Sequence, residues 1–513
     1  MAKRASSSKF NIVAIREILF CNFKSEKKMT STQKAHPEII QGGMGIGVSN
    51  WKLAKAVSQE GQLGVVSGTC IDSVLIRRLQ DGDFDGDVRR ALSHFPCQEL
   101  VNKVLGMFYR PEGRDDKTPY KLLPLHRVSG NTFRDQLSAL GSFVEVFLAK
   151  ESHDGVVGLN LLTKIQVPNL ATIYGAMLAK VDYVLMGAGI PREIPGVIDK
   201  FLNHDVASIK LDVVGKTKEL FNLSFNPADL IKDIKTDIQI KLQRPKFLPI
   251  VTTHTLAQVL FKKAGQVDGF VVEAPEAGGH NAPPRTDNGL NDKGEPIYND
   301  KDRADLAKMK EIGVPFWLAG GIKTREDFLH AKAQGAAGVQ LGTVFSMADE
   351  SGLTAKLKNL VRKHIDLEKL EVFTDRLASP TGFPFKVAKL DDTLSDPEVY
   401  NKRERICDLG YLREAAVKDD GKLAFRCSSE PVDQYVKKGG NVEDTAHRVC
   451  LCNALMSAVG MGQVRDEDQV EPSLLTSGDQ LVKLKDFMTK IGKVHFSASD
   501  VIQYFLGKEQ NKA

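Results

Sequence analysis

Eight short β-rich runs set the strongest limit on what this chain can fold into. They are Glu38–Gln41, Leu63–Ser67, Val157–Leu162, Tyr183–Gly187, Phe247–Val251, Gly269–Glu273, Phe316–Ala319 and Gly338–Leu341. Each is short and largely apolar, as strands buried on both faces are. Helical patterns fall between most of them, at 50–60, 132–150, 169–180, 255–264, 302–312 and 324–334, with Asn50 and Thr324 as N-caps. Eight strand-plus-helix units in one region predict an α/β fold, a (β/α)8 TIM barrel, with a doubly wound sheet as the alternative.

The spacing is uneven. The stretches at about 69–156 and 188–246 are too long for simple connections and predict inserted structure. In the second, 210–214 and 220–225 alternate like a hairpin. Residues 281–301 are polar and rich in Pro, Asn and Asp, in the manner of a lid loop. After about 346 the βα rhythm stops. The expected organisation is therefore a disordered N-terminal tail over 1–35, a barrel with insertions over 36–350, and a C-terminal, mainly helical extension over 351–513.

Net charge is +5 over 70 basic and 65 acidic residues, too even to argue for nucleic acid or an anionic membrane. No apolar run reaches the length of a membrane span. Seven scattered cysteines fit a reducing compartment, so a cytoplasmic protein is expected. A homodimer is compatible with a barrel of this size, although no residue pattern demands one.

Four motifs carry chemistry. Glu273-Ala-Pro-Glu-Ala-Gly-Gly-His280 follows a buried strand. Gly278 and Gly279 would let a flat ligand lie against bare backbone. His280 would stand at its edge, able to move a proton. Gln41-Gly-Gly-Met-Gly-Ile-Gly47 ends the first strand; it lacks the spacing and acidic partner of a dinucleotide fingerprint, leaving a glycine-lined turn, either beneath a ring system or simply at a barrel mouth. Gly320-Gly321 after the seventh strand and Gly342-Thr343 after the eighth suit a phosphate held on main-chain N–H groups. Asn160 and Gln340 are amides in apolar strands and need partners, from a heterocycle or a neighbouring strand. Thr253 and His254 could line the mouth or cap the next helix. Cys407, Cys427, Cys450 and Cys452 could ligate zinc or an iron–sulfur cluster. Their irregular spacing is equally that of ordinary buried thiols, and no metal is expected.

Taken in order, Gln41 to Met44, Gly278-Gly279-His280, Gly320-Gly321 and Gly342-Thr343 resemble the nitronate monooxygenase family, which is related to flavin-dependent enoyl-ACP reductases. The likeness covers roughly 36–350. Glu276–Arg285 and Ser379–Phe385 are similar to a long-chain branch of it with a C-terminal extension. The resemblance implies FMN, with Gln41, Gly42, Gly43 and Met44 against the ring and Asn160 at its polar edge. Gly320, Gly321, Gly342 and Thr343 would hold the phosphate, and His280 would be the catalytic acid or base. It implies oxidation of alkyl nitronates by O2. The alternatives are an NAD(P)H-dependent reductase of enoyl thioesters or quinones, and a non-catalytic FMN-binding scaffold. Shorter members continue Gly-Gly-His differently, so Asn281–Arg285 and the following loop bear on the substrate.

Overall fold

A computed structural model of the chain describes residues 36–127, 130–215, 217–232, 240–418, 420–466 and 469–508; the expected N-terminal tail over 1–35 lies outside them. The eight runs form strands β1 (Ile39–Gln41), β2 (Gly64–Ser67), β3 (Val157–Leu162), β4 (Tyr183–Gly187), β5 (Lys246–Val251), β6 (Phe270–Glu273), β7 (Phe316–Ala319) and β8 (Gly338–Leu341). Every pairing between sequential neighbours from β2 to β8 is parallel, and β8 returns to pair with β1. A parallel bridge between Ile40 and Leu63, with Gln41 N donating to Leu63 O at 2.9 Å, closes the ring. The fold is a (β/α)8 barrel.

Period-two alternation sorts each strand. Ile40, Val65, Leu185, Leu248, Val271 and Trp317 pack inside the barrel. Ile39, Val66, Val184, Phe247, Phe270 and Val339 face outward into the larger core shared with the helices. Trp317 plugs the floor, its Nε1 donating to Pro37 O at 2.7 Å. Strand glycines mark where backbone comes closest. A Cβ at Gly338 would stand 1.9 Å from Glu38 O, a main-chain atom that cannot swing away. Gly338→Ala should therefore cost about 3 kcal/mol, the upper range for overpacking, read as a lower urea midpoint with unchanged slope.

The helix at Thr132–Lys150 keeps its expected bounds, and Asn50 and Thr324 cap their helices through Leu53 N and Asp327 N. The first long connection also holds helices at Ile71–Gln80, Asp87–Ser93 and Gln98–Phe108. In the second, the hairpin is shifted from the expected register: Ala207–Lys210 pairs with Asn222–Phe225. Val213–Val214 instead pairs in parallel with Ala415–Ala416 of the C-terminal extension. Alternation alone does not name a strand's partner, and here the partner lies 202 residues away.

The extension contains helices from Ala355–Asp366 to Ala498–Leu506, and two antiparallel pairs, Glu371–Asp375 with Phe385–Lys389 and Glu414–Val417 with Leu423–Arg426. It does not stand apart. From Pro37 onward the described residues form one compact unit.

Candidate active site

The strands' C-terminal ends open into a cavity of about 490 Å³, within the range of small-molecule sites. The register decides which side chains reach it. Asn160 pairs across from Leu185, Gln340 from Ile40, and Glu273 from Ala319, all on the inward face. Three polar side chains thus crown an otherwise apolar barrel. Gln41 has the opposite parity. It is fully buried, donating from Nε2 to Ser49 Oγ at 2.7 Å and accepting from Val65 N at 3.0 Å. It does not line the cavity. Its amide fastens the β1 loop to β2, whereas ring contact was expected of it.

Gly42, Gly43 and Met44 do line the cavity. Asn160 Nδ2 donates to Gly43 O at 3.0 Å. A Cβ on Gly43 would lie 2.2 Å from Asn160 Cβ, so the amide and the turn are packed as one wall. Gly278, Gly279, Gly320, Gly342 and Thr343 line the cavity as well, while Gly321 does not. Gly279 and Gly320 sit at φ +84° and +85°, a backbone that favours glycine. Thr253 caps the following helix through Leu256 N, and His254 Nδ1 accepts from Asp305 N at 3.2 Å; neither reaches the cavity.

His280 is held from two sides by the stretch Ser379–Phe385. Its Nε2 is 2.7 Å from Ser379 Oγ, and its ring meets Phe385 edge to face at 4.7 Å between centroids. What exposure it has is to the cavity. Burial lowers its pKa from the usual value to about 4, so the imidazole is neutral at physiological pH. In the tautomer whose Nε2–H donates to Ser379 Oγ, Nδ1 keeps its lone pair.

Two residues at the site have roles that sequence reasoning did not give them. Ser379 opens a stretch noted only for its resemblance, and its contact with His280, 99 positions away, has no local signal. Glu273 could have been found, since period two from Val271 puts it inside. Burial raises its carboxyl to about 8. The unfolded chain releases this proton near pH 4.5 and the folded chain holds it to about 8, so the folded state loses stability as pH rises between those values. Glu273→Gln should abolish this loss, and thermal unfolding at pH 6 and 8 checks it.

The C-terminal extension supplies one wall. Gly279 N donates to Thr476 Oγ1 at 3.0 Å, and Gly478 N donates to Thr343 Oγ1 at 3.1 Å. Asp479 N reaches Glu276 O at 3.2 Å. A Cβ on Gly278 would strike Gly478 N and Ser477 C at 2.7 Å. The Thr343 hydroxyl, expected to help hold a phosphate, also accepts from this strap. Lys323 and Lys483 line the same cavity. The loop at 281–301 is tied down by Glu295, which accepts from Thr374 N at 2.8 Å, and by the Lys293–Glu371 ion pair.

The cavity fits a flavin. Gln340 Oε1 is buried without a partner among the described residues. A Cβ on Gly342 would meet only Met44, at 3.7 Å or more, so the backbone there stands open to a ligand. Glycines, two amides and a neutral imidazole around an apolar space suit a planar heterocycle with a polar edge.

Residues 221–376 match the family described as nitronate monooxygenase. A probable nitronate monooxygenase of Staphylococcus haemolyticus is 28% identical over 140 residues, 27% of this chain and 38% of that protein. One from Staphylococcus saprophyticus is 26% identical over 167 residues, 32% of this chain and 46% of that protein. The chain thus spans less than half the length of these relatives. Among solved structures, FabK from Thermotoga maritima aligns over 92% of both chains at 17% identity and a TM-score of 0.43. A nitroalkane oxidase from Streptomyces ansochromogenes aligns over 92% of this chain and 95% of its own, at 15% identity and a TM-score of 0.42. The match over 221–376 begins after β4, so the Gln41–Met44 turn and Asn160 lie outside it. Through residues 221–376, which carry β5 to β8 and the Gly-Gly-His loop, the chain is related to the nitronate monooxygenase family.

Proposed function

We propose that the protein is an FMN-dependent oxidoreductase that oxidises alkyl nitronates or nitroalkanes with O2. The observation that carries this reading is a neutral imidazole, His280, fixed at the rim of a glycine-lined cavity with one nitrogen free for substrate. FMN, when bound, supplies the electron acceptor and the exchange with O2. Gly42, Gly43 and Met44 would lie against its ring, with Asn160 and Gln340 at the polar edge. Main chain at Gly320 and Gly342, with Thr343, Ser477 and Lys483, would hold the phosphate.

The chain's own residues then do three things. The apolar wall at Leu162, Ile165, Leu412 and Leu455 excludes water and favours an alkyl substrate. His280 Nδ1 takes the α-proton of a neutral nitroalkane, while Ser379 keeps the ring's orientation. For a preformed nitronate, no proton needs to move and His280 only positions the oxygens.

The pH dependence follows. A base with a pKa of about 4 stays competent down to that pH. The limb of kcat/KM owed to His280 should be level from pH 6 to 8 and fall about tenfold per unit below pH 4. Rates measured against pH with a neutral nitroalkane check this; a limb centred near 6.5 would contradict it.

An NAD(P)H-dependent reductase of enoyl thioesters or quinones would use the same geometry, with His280 at the acceptor carbonyl. Anaerobic mixing separates the two. Bleaching of the bound flavin by a nitronate, and not by NADPH, supports the monooxygenase. Bleaching by NADPH alone supports the reductase, and bleaching by neither leaves a non-catalytic flavin scaffold.

A further inference from the structure

Among the described residues, Glu273 is the sole carboxyl that lines the active-site cavity, and the proton transfer to His280 does not use it. Its place is set by register. Ala319 pairs with Glu273 on one side and with Gln340 on the other, and all three face inward. Two strand spacings, about 10 Å, separate the backbones that carry the two polar side chains. Ala319 also lines the cavity, so nothing larger than a methyl group stands between them.

The protein satisfies neither group. Gln340 Oε1 is buried without a partner, and the Glu273 carboxyl enters no hydrogen bond or ion pair among the described residues. Buried polar groups are normally paired, so two orphans on either side of one alanine point to a ligand between them.

The groups around Glu273 leave it in that state. Tyr298, from the loop at 281–301, is near enough to feel the carboxylate, but its hydroxyl donates to Ala282 O at 3.0 Å. Arg285 and Asp302 share with Glu273 a side cavity of about 20 Å³, where the Asp302 carboxylate is taken by Arg285 N at 2.7 Å and Asn299 N at 2.8 Å. His280 is neutral, and Lys323 and Lys483 line the main cavity without shifting Glu273. Burial alone acts on the carboxyl and raises it to about 8, so it is largely protonated at neutral pH. Protonated, it is a donor, whereas Gln340 Oε1 is an acceptor.

On the flavin reading above, we propose that Glu273 is a cofactor-binding residue, its carboxylic acid donating to a carbonyl oxygen of the isoalloxazine ring while Gln340 Oε1 accepts from a ring N–H. The polar edge of that ring alternates carbonyl oxygens with an N–H, the pattern that these two residues complement. Ionised, Glu273 would turn from donor to acceptor and face the ring carbonyl with a negative charge. FMN therefore binds the protonated form.

Fluorescence titration of apoprotein with FMN at pH 7 and pH 9 tests this, with circular dichroism at both values to show that the protein is folded. Wild-type affinity should be about tenfold weaker at pH 9, because binding competes with loss of a proton held to about pH 8. Glu273→Gln keeps a donor and cannot ionise, so it should show no such fall, which also corrects for any titration of FMN itself. Glu273→Ala should bind FMN about tenfold more weakly than wild type already at pH 7. Level wild-type affinity between the two pH values, as for a carboxyl bonded only to water in the side cavity, would overturn this assignment alone. So would an equal fall in Glu273→Gln. Wild-type protein that binds no FMN at pH 7 would overturn the flavin reading, and this assignment with it. Should the variants not fold, the wild-type pH dependence decides.

Discussion

His280→Ala is expected to lower turnover of a neutral nitroalkane by about 10²–10⁴-fold, the usual contribution of a positioned general base, while leaving flavin bound. The reason is the separation of roles around the cavity. The groups proposed to hold the cofactor are main chain and amides that follow or lie in β1, β3, β7 and β8, with Glu273 at the ring and Thr343, Ser477 and Lys483 at the phosphate. His280 comes from β6 and is braced from the far side by Ser379 and Phe385. Removing the imidazole vacates the substrate's edge without disturbing that cradle. A preformed nitronate, already deprotonated, should lose far less, so the ratio of the two rates reports on the proton step. Steady-state kinetics with both forms, alongside flavin content, check it. Equal losses for both would mean that His280 serves binding only.

Gly43→Ala is expected to weaken FMN by one to two orders of magnitude. The added Cβ would stand 2.2 Å from Asn160 Cβ and 3.0 Å from Val65 Cγ1. Neither can yield cheaply, because Asn160 is bound to Gly43 O and Val65 lies in the barrel core. Relief must come from the β1 turn or from Asn160, the two elements proposed to face the ring. Overpacking of this kind costs about 1–3 kcal/mol, and each 1.4 kcal/mol is tenfold in affinity. Fluorescence titration of apoprotein with FMN measures it. An affinity like that of the wild type would show that this wall does not face the cofactor.

The barrel was legible because alternating apolar runs and helical patterns are local signals, and eight of them leave few topologies. Asn160 and Gln340 could be found because an amide in a buried strand stands out. The parity of β1 was not read: Ile40 points inward, so Gln41 must point outward. The same counting would have recovered Glu273 from Val271. Other features had no local signature at all. The pairing of Val213–Val214 with Ala415–Ala416, the Ser379–His280 contact, and the strap that joins Gly478 to Thr343 each span between 99 and 202 residues. They arise from tertiary packing of the extension against the barrel mouth, which sequence periodicity does not encode.

The most direct test is to ask whether the full-length protein binds FMN. Apoprotein dialysed against FMN, FAD and riboflavin should take up about one FMN per chain, and acid release should return FMN unchanged. Protein that stays colourless and binds none of the three at micromolar concentrations would contradict the account at its root.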